Sequence, residues 1–553
     1  MKIDRKSILL IGLLVVSFFI RIYRINTLSL FGDEIDVGYQ AYSLLNTTKD
    51  YKGNFLPTYI QSLSESRAPL LIYTSIPGIK LFGLTETGVR ITPIIFGVLS
   101  IYLLYKLVFL LSNSFSLAFL SSLVMSFSPW HFHYSRTSFE VTLLLSLILL
   151  GVYLFQKFIQ QNKSYYLYLS ITAFGLTFYT YNTANIFVPL LVVGLIISNW
   201  KKFFSILSFN KIIISLGLTL LFIIPILTQI FSGQAANRFG LVNIFNDPKT
   251  INQIIDRRTS FSATSPQQER FFYNKITGWT TAFFQNYLEA ISPLVLFNKG
   301  DTINIRHNIP QFGLLFLSFA PLLFIGLIKS PKNKLRQLMF YWLIISPIAS
   351  SLTTQGGHHP TRLFVMLPPL VYFIAQGILA LASSKTFSKL ILVILSFTFI
   401  FELSFYCHEY FYRYPKDSFE HWNYGYKEIL TNIPKQYSRL YISNTKYNSL
   451  LPFVFYQKLL QNPLNDSSQK SIVFNYNGFS LKENIYFIDN WGDRDVLNQV
   501  SNNSQTSDTF ILFQGKDIPG DMDFSQKPLE GFKTIKTVYY PNKTIFAQII
   551  QKI

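Results

Sequence analysis

The sequence has little cysteine and little charge, and both shortages exclude classes of protein. Cys407 is the only cysteine in 553 residues, which excludes an intrachain disulfide framework and any cysteine-based zinc or iron–sulfur cluster. Charged residues make up 14% of the chain, whereas soluble proteins carry about 25%. No P-loop or GxGxxG motif is present, so the sequence does not indicate a nucleotide-binding fold of either type.

Apolar and aromatic residues take the place of the missing charge. Hydrophobic residues make up 50% of the chain, 54 Phe and 33 Tyr bring the aromatic share to 17%, and the mean hydropathy is +0.30. This composition is typical of an α-helical membrane protein that crosses the bilayer several times. The formal net charge of +20 comes from Lys and Arg that punctuate apolar runs, which is a topology and anionic-lipid signal rather than a nucleic-acid one.

Apolar runs long enough to cross a bilayer recur along the first 410 residues. A bilayer core about 30 Å thick requires about 20 apolar residues in a helix. About eleven runs qualify, near 7–22, 88–110, 116–134, 139–158, 165–181, 184–199, 211–231, 311–329, 337–353, 361–382 and 388–406. Arg21 and Arg24 replace the small residues of a cleavage site, so the first run is predicted to be an uncleaved span.

Basic residues between the runs predict the orientation, because cytoplasmic loops carry the Lys/Arg excess. With eleven spans and a cytoplasmic N-terminus, the inner segments hold Lys2, Arg5, Lys6, Lys163, Lys201, Lys202, Lys211, Lys332, Lys334, Arg336, Lys385 and Lys389. A further apolar segment, about 68–83, is short and contains Pro69 and Pro77. Counting it as a span would move the cluster at 332–336 outside, so it is predicted to be a juxtamembrane or re-entrant helix. The predicted location is the cell membrane.

The C-terminal part of the chain differs from the rest. Short alternating apolar runs near 439–443, 471–475, 484–489 and 509–513 are typical of strands in a small soluble α/β domain. The predicted organisation is a transmembrane module at 1–409, with outer loops at about 23–87 and 232–310, and an extracytoplasmic domain at 410–553.

Three carboxylates follow the first span directly. Asp33, Glu34 and Asp36 lie within four residues at the predicted outer surface. A carboxylate shielded from bulk water can act as a general base toward an acceptor hydroxyl, or hold a cation such as Mg²⁺ or Mn²⁺ through Asp33 and Asp36. The alternative is that Asp33 caps the N-terminus of an amphipathic helix with Asp36 at its N3 position.

Cations and polar residues also gather at predicted outer ends of spans. The candidates are Arg67, Tyr134, Arg136, Glu140, Asn182, His359 and Arg362. An arginine fork matches a pair of phosphate oxygens, although a lone arginine at the position of Arg67 is more often a snorkelling cation that marks the membrane boundary. Arg136 and Glu140 are alternatively an i,i+4 helix pair. The inner loops are short and simply basic, so this asymmetry favours a site on the outer face.

The ordered set of motifs resembles the polyprenyl-phosphate-sugar-dependent glycosyltransferases of the GT-C class, glycosyltransferase family 39. That family includes protein O-mannosyltransferases and lipid A aminoarabinose transferases. The resemblance covers about the first 410 residues. The motifs that carry it are Asp33-Glu34, Arg67-Ala68-Pro69-Leu70, Phe82-Gly83 with Glu86 and Arg90, Tyr134-Ser135-Arg136 with Glu140, and His359 to Arg362. Gly300-Asp301 through Arg306-His307, and Trp422 to Lys427, resemble bacterial members.

The resemblance implies a transferase with Asp33 as general base, Glu34 as its neighbour in the motif, and Arg67 at the donor lipid phosphate. Arg136 and Arg362 are further candidates for that phosphate, and Tyr134, Glu140, Asn182 and His359 for lining the substrate site. Ala68 stands where many members have proline, and Glu140 where aminoarabinose transferases have Asp. The expected partners are a polyprenyl-phosphate sugar and the bilayer, with no certain cofactor.

Two other functions compete with a transferase. A lipid or glycan transporter or flippase would also use re-entrant helices and polar helix ends, but it places ionisable residues near the bilayer midplane. The interiors of the predicted spans, away from their ends, are almost free of Asp, Glu, Lys and Arg; Lys106 is one exception, and Glu402, near an outer helix end, is another. A membrane-anchored scaffold acting through its C-terminal domain would leave the charged first loop without a role.

Overall fold

The computed structural model describes residues 4–62, 66–231, 242–260, 265–383, 386–446, 448–464, 470–473, 476–490 and 496–553. Helices dominate the part before residue 410, as the composition predicts. The helices are α1 Arg5–Ile22, α2 Gly32–Thr47, α3 Leu70–Phe82, α4 Glu86–Ser112, α5 Phe115–Phe127, α6 Pro129–Tyr134, α7 Val141–Gln161, α8 Ser164–Thr177, α9 Ala184–Ser198, α10 Trp200–Ser205, α11 Phe209–Phe231, α12 Pro248–Thr259, α13 Pro266–Phe272, α14 Lys275–Ala290, α15 Phe319–Lys329, α16 Lys334–Ile345, α17 Ile348–Ser351, α18 Pro360–Leu363, α19 Leu367–Ala382, α20 Thr386–His408, α21 Tyr414–Asp417, α22 Tyr426–Thr431, α23 Leu450–Tyr456 and α24 Val496–Asn503.

Five helical stretches in the described part of the chain are long and apolar enough to cross a membrane. They are Glu86–Ser112, Val141–Gln161, Phe209–Thr228, Pro360–Ala382 and Thr386–Asp417. Shorter apolar helices lie at Leu70–Phe82, Phe115–Phe127, Ala184–Ser198 and Phe319–Lys329. The helical class is therefore confirmed, while the count of eleven spans stays a prediction.

Prolines and one carboxylate break three of the predicted runs. The run at 116–134 divides into α5 and α6 at Pro129, and the run at 337–353 divides at Pro347. Proline disfavours helical backbone in the residue before it, and Ser128 is extended accordingly. Ser346 keeps helical backbone, and the break there follows from the backbone N–H that Pro347 lacks. In the run at 311–329, helix starts only at Phe319, where Glu402 of α20 accepts the backbone N–H groups of Leu317 and Ser318 at 2.9 and 3.1 Å.

The segment predicted to be a short helix at 68–83 forms α3. Its 13 residues span about 20 Å, which is less than a bilayer core. Its position relative to the membrane remains a prediction.

In the part of the chain that the structure describes, nine strands form two sheets, and the larger lies after residue 410. The strands are β1 Ile60–Gln61, β2 Ser66–Arg67, β3 Leu440–Ser443, β4 Lys470–Val473, β5 Tyr476–Lys482, β6 Ile485–Asn490, β7 Thr509–Phe513, β8 Phe532–Tyr539 and β9 Ile545–Lys552. Their order in the seven-stranded sheet is β4-β5-β6-β3-β7-β9-β8, with β3 parallel to β6 and β7. Helices pack on this sheet, as expected of an α/β unit, and the boundary near residue 410 stays a prediction.

The C-terminal sheet and its helices share one hydrophobic core with the loop that follows the first span. Gly38 of α2 is a point of close approach, because a Cβ there would lie 2.7 Å from Val89 and 2.8 Å from Phe455. The Tyr39 hydroxyl donates to the Leu459 carbonyl at 2.9 Å. The C-terminal part thus holds α2, the helix that begins with the three carboxylates.

We expect cysteine labelling to report the two sides of the membrane. Lys332 and Thr302 are both exposed. In a Cys407→Ser background, Lys332→Cys should react only from the cytoplasm and Thr302→Cys only from outside, because the Lys332 cluster fits the positive-inside rule. A membrane-impermeant maleimide applied to intact and permeabilised cells measures this, and labelling of Thr302→Cys only after permeabilisation would overturn the proposed orientation.

Candidate active site

Asp33 lies in the first turn of α2 and does not cap it. The N-cap residue is Phe31, whose backbone is extended, and the helix starts at Gly32. The predicted cap by Asp33 is therefore wrong by two residues, because the Glu34 side chain reaches back to the Phe31 N–H at 3.4 Å. The Asp33 side chain is 54% exposed, so it is accessible to a ligand.

Glu34 is fully buried and paired with Arg90. The Arg90 Nε and Nη2 donate to the two Glu34 oxygens at 2.8 and 2.6 Å, and the Ser138 N–H donates at 2.9 Å. Arg90 also donates to the carbonyls of Ile25, Leu28 and Ser29. Glu34 therefore fixes the start of α2 against α4 and is not accessible to a substrate.

Arg67 lies between the other two carboxylates. Its Nη2 is 3.1 Å from Asp33 Oδ1, and its Nε is 3.2 Å from Asp36 Oδ2. Pairing of β2 with β1 positions Arg67, which is almost completely buried. The geometry makes Arg67 a partner that orients Asp33.

Asp36 is buried and serves as the other anchor of Arg67. Its Oδ1 accepts from the Tyr51 hydroxyl at 2.9 Å and from the Ser62 hydroxyl at 3.1 Å. Burial raises the pKa of Asp36, and Arg67 and the Tyr51 hydroxyl oppose that rise. The sequence marks Arg90 as part of a motif but does not reveal that it pairs with Glu34. It gives no signal for Tyr51 or Ser62 as supports of Asp36.

Arg136 is bound to the C-terminal end of α1. Its Nη1 donates to the carbonyls of Ile20, Arg21 and Tyr23 at 3.0, 2.6 and 2.8 Å. A cation there also offsets the negative end of the helix dipole. The predicted i,i+4 helix pair with Glu140 is wrong, since α6 ends at Tyr134 and α7 begins at Val141.

A second group of polar residues lies around His307. Its Nδ1 is 2.7 Å from Asp301 Oδ2, and its ring contacts the His359 ring with centroids 4.7 Å apart. Arg306 and Arg362 are close enough to oppose protonation of His307. The Arg306 guanidinium lies 5.0 Å from the Phe31 ring, which places it beside the start of α2.

Arg362 and Arg306 differ in how many of their guanidinium N–H groups are hydrogen-bonded to the protein. Arg362 donates through Nη1 to the Thr353 hydroxyl and the Thr354 carbonyl at 2.6 and 3.1 Å. The Arg306 Nη groups make no hydrogen bond within the described part of the chain, and its Nε is 3.4 Å from the Asn304 side-chain oxygen.

The remaining predicted residues lie in different surroundings. Tyr134 is buried, and its hydroxyl shares a hydrogen bond of 2.8 Å with Thr361. Asn182 is exposed, in the turn after Tyr179, whose carbonyl accepts the Leu70 N–H at the start of α3. Glu140 precedes α7. Within the described ranges, no group of three or more His, Cys, Asp or Glu is arranged to hold a metal ion.

We expect the folded protein to lose stability as the pH falls below about 6.5. Burial lowers the pKa of His307 despite Asp301, and burial with nearby Arg362 lowers that of His359. The unfolded state then binds protons that the folded state does not, costing at most about 1.4 kcal/mol per pH unit for each histidine. Chemical unfolding in detergent gives the free energy of unfolding at pH 7 and at pH 5. The loss of stability between the two pH values should be smaller in His359→Gln than in the wild type, and unchanged in His421→Gln, which alters an exposed histidine. Equal losses in the wild type and both variants would contradict this.

A family model matches part of the chain, and a solved structure matches nearly all of it. The family model described as dolichyl-phosphate-mannose-protein mannosyltransferase matches residues 66–228. The crystal structure of ArnT from Cupriavidus metallidurans bound to undecaprenyl phosphate superimposes with a TM-score of 0.54 at 12% identity, covering 99% of this chain and 98% of that one. The chain has the GT-C glycosyltransferase fold.

The apo structure of the same ArnT gives a TM-score of 0.50 at 12% identity and covers 99% of this chain and 97% of that one. No curated protein matches the chain. The resemblance to GT-C enzymes predicted from the sequence is confirmed. The family match includes Arg67, Arg90, Arg136 and Glu140, whereas Asp33, Arg306 and Arg362 lie outside it.

Proposed function

We propose that this protein is a membrane glycosyltransferase that moves a sugar from a polyprenyl-phosphate donor to an acceptor hydroxyl on the extracytoplasmic face of the cell membrane. The observation that carries the proposal is Asp33, a half-exposed carboxylate held by Arg67 in a GT-C fold. The ArnT structure with undecaprenyl phosphate supports a polyprenyl-phosphate donor.

Asp33 is the base in the proposed reaction. The acceptor hydroxyl gives its proton to Asp33 while its oxygen bonds to the anomeric carbon of the sugar. The bond from that carbon to the phosphate oxygen breaks, and its electron pair leaves on the polyprenyl phosphate. Arg67 fixes the orientation of Asp33, and Glu34 with Arg90 fixes the helix that carries it.

The charge on the departing phosphate needs cations that are free to meet it. Arg136 donates hydrogen bonds to backbone carbonyls, and Arg67 forms ion pairs with two carboxylates. Arg306 and Arg362 flank the same histidine, and Arg306 has both Nη groups unoccupied within the described residues. We assign the phosphate to Arg306 and Arg362, with His359 beside them. Tyr134 is buried and supports this site through its hydrogen bond with Thr361.

A divalent cation between Asp33 and Asp36 would compete with Arg67. Arg67 is within 3.2 Å of both carboxylates and is almost completely buried there. The protein therefore supplies at this point the positive charge that Mg²⁺ or Mn²⁺ would bring, and the proposed reaction uses no metal.

We expect Arg306→Ala to weaken donor binding by about ten- to a hundredfold, because a charged hydrogen bond contributes about 1.5 to 3 kcal/mol. Arg306→Lys should recover only part of the affinity, since an ammonium cannot form two parallel bonds to a phosphate. Polyprenyl phosphate binding to purified protein measures this. Arg413→Ala, whose side chain is 60% exposed, is the control, and wild-type affinity in Arg306→Ala would place the phosphate elsewhere.

The function itself is tested with purified protein and a panel of radiolabelled polyprenyl-phosphate sugars. Release of polyprenyl phosphate from one donor supports the proposal, and intact donors throughout the panel, with a cell-envelope extract as acceptor, would refute it.

A transporter or flippase is the weaker alternative. It would need ionisable groups along a path through the spans. Arg21 of α1 is instead bonded to Ser17, Ser126, Ser135 and His131, and Glu402 to backbone amides at the start of α15. These charges are satisfied inside the helix packing.

A further inference from the structure

A cleft of about 930 Å³ lies between α12, α14 and the turn at 354–358. Its size is at the upper end of ligand pockets, which range from about 300 to 1,000 Å³. None of Asp33, Arg67, Arg306 or Arg362 lines it, so it is separate from the reaction centre.

Helix α14 separates this cleft from the apolar exterior. Thr277, Thr281, Gln285 and Glu289 follow one another at four-residue spacing and line the cleft. The outward side of α14 exposes Ile276, Phe284 and Leu288, whose exposed fractions are 72, 56 and 61%. One side of the helix is thus polar toward the cleft, and the other is apolar, as at a lipid surface.

The lining is rich in neutral amide groups whose side chains have no hydrogen-bond partner among the described residues. Asn246, Gln253, Gln285 and Gln355 make no side-chain hydrogen bond to any described residue. Each amide offers donors and an acceptor together. Sugar hydroxyls likewise both donate and accept, so a row of amides matches a polyhydroxylated ligand.

The charges in the lining argue against an ionic ligand. Lys249 and Arg257 are balanced by Asp247, Asp256 and Glu289. Asp247 caps α12, and Glu289 is 3.0 Å from His358. Positive and negative side chains are mixed in the lining, so neither a phosphate-rich ligand nor a strongly cationic one would be attracted by a uniform charge.

The cleft adjoins the reaction centre through a short series of contacts. His358 lines the cleft, and the next residue, His359, contacts the His307 ring. The His307 ring lies 5.9 Å from that of Phe139, which lies 5.3 Å from Phe31 at the start of α2. The rings of His307, Phe139 and Phe31 are buried, so these contacts give the proximity of the two places. Three ring contacts separate His359 from the start of α2, which brings Asp33 within reach of an acceptor several sugar units long.

We infer that this cleft binds the carbohydrate portion of the acceptor, beyond the sugar that receives the transfer. The inference rests on the proposed function and makes the acceptor a neutral oligosaccharide, free or attached to a lipid. It assigns recognition to amides on α12 and α14 and to Gln355.

The test measures oligosaccharide binding to full-length protein in nanodiscs by calorimetry. Maltoheptaose, cellohexaose and a mannan hexasaccharide are used free and on a dialkyl lipid, beside a hyaluronan hexasaccharide and a Ser/Thr-rich peptide. We expect saturable binding of at least one neutral glycan, weakened about five- to tenfold by Gln285→Ala and abolished by Thr281→Trp, which fills the cleft. Asn252→Ala, an exposed residue of α12 outside the cleft, should bind as the wild type does.

Binding of a neutral glycan in either form supports the inference, and the tighter form identifies its source. No glycan binding, binding that survives Thr281→Trp, or a preference for the peptide or the acidic glycan would overturn it. Donor cleavage is measured on the same wild-type preparation. Cleavage without glycan binding defeats this inference alone, whereas absence of cleavage defeats the proposed function.

Discussion

Asp33→Asn is expected to lower sugar transfer by about a hundredfold or more while the protein stays folded. Asparagine has the same shape and can still accept a hydrogen bond from Arg67, whose Nη2 is 3.1 Å from Asp33. It cannot take the proton of the acceptor hydroxyl. Because Phe31, and not Asp33, is the N-cap residue, the substitution removes no helix cap. The effect should therefore fall on turnover and leave the thermal midpoint unchanged.

Transfer rates with radiolabelled donor and thermal unfolding measure the two quantities separately. Asp521→Asn, an exposed carboxylate of the C-terminal part, is the matched control and should transfer normally. Near-normal turnover in a folded Asp33→Asn protein would end the role of Asp33 as base. Donor affinity should persist in this variant, since the phosphate is assigned to Arg306 and Arg362.

Arg90→Met should have the largest effect on folding. Arg90 is buried and donates to both Glu34 oxygens and to three carbonyls that precede α2. Methionine fills much of the volume but leaves the Glu34 carboxylate buried without its cation. Breaking a buried pair in this way costs about 3 to 5 kcal/mol. The start of α2 should loosen with it, so transfer should fall as well.

The free energy of unfolding in detergent measures this effect. Arg413→Met is the control, because its ion pair with Glu409 involves a side chain that is 60% exposed, and such pairs contribute about 0 to 1 kcal/mol. Should Arg90→Met not accumulate, Glu34→Gln tests the same pair from its other side. A cost under about 1 kcal/mol in both variants would show that the pair does not hold the loop.

The sequence predicts the helical class and the family resemblance because apolar runs and the order of motifs are local signals. It predicts helix ends less well. Pro129 and Pro347 divide two of the predicted runs, and the start of α15 is bonded to Glu402, which lies 85 positions after Leu317 in the sequence. The start of α2 depends in the same way on Arg90, which lies 56 residues from its partner Glu34. Such long-range contacts leave no periodic pattern.

The same limit applies to the candidate site. Arg67 and Arg136 have the residue type that binds phosphate, but the structure gives them other partners, Asp33 and Asp36 for the first and helix carbonyls for the second. Which arginine is left for a ligand depends on what each one meets in three dimensions. Asp33 was a candidate because it directly follows a span, and the structure leaves its side chain 54% exposed; its role as the base stays a prediction.

The contact between the C-terminal part and α2 also affects how the protein matures. Lys427 of α22 is 2.9 Å from the buried Glu86 carboxylate, and Phe455 covers Gly38. These residues are synthesised more than 340 positions after the segments that they cover. A nascent chain therefore carries Asp33 long before its surroundings are complete, and α2 gains its full packing only after the segments that contain Lys427 and Phe455 have been synthesised.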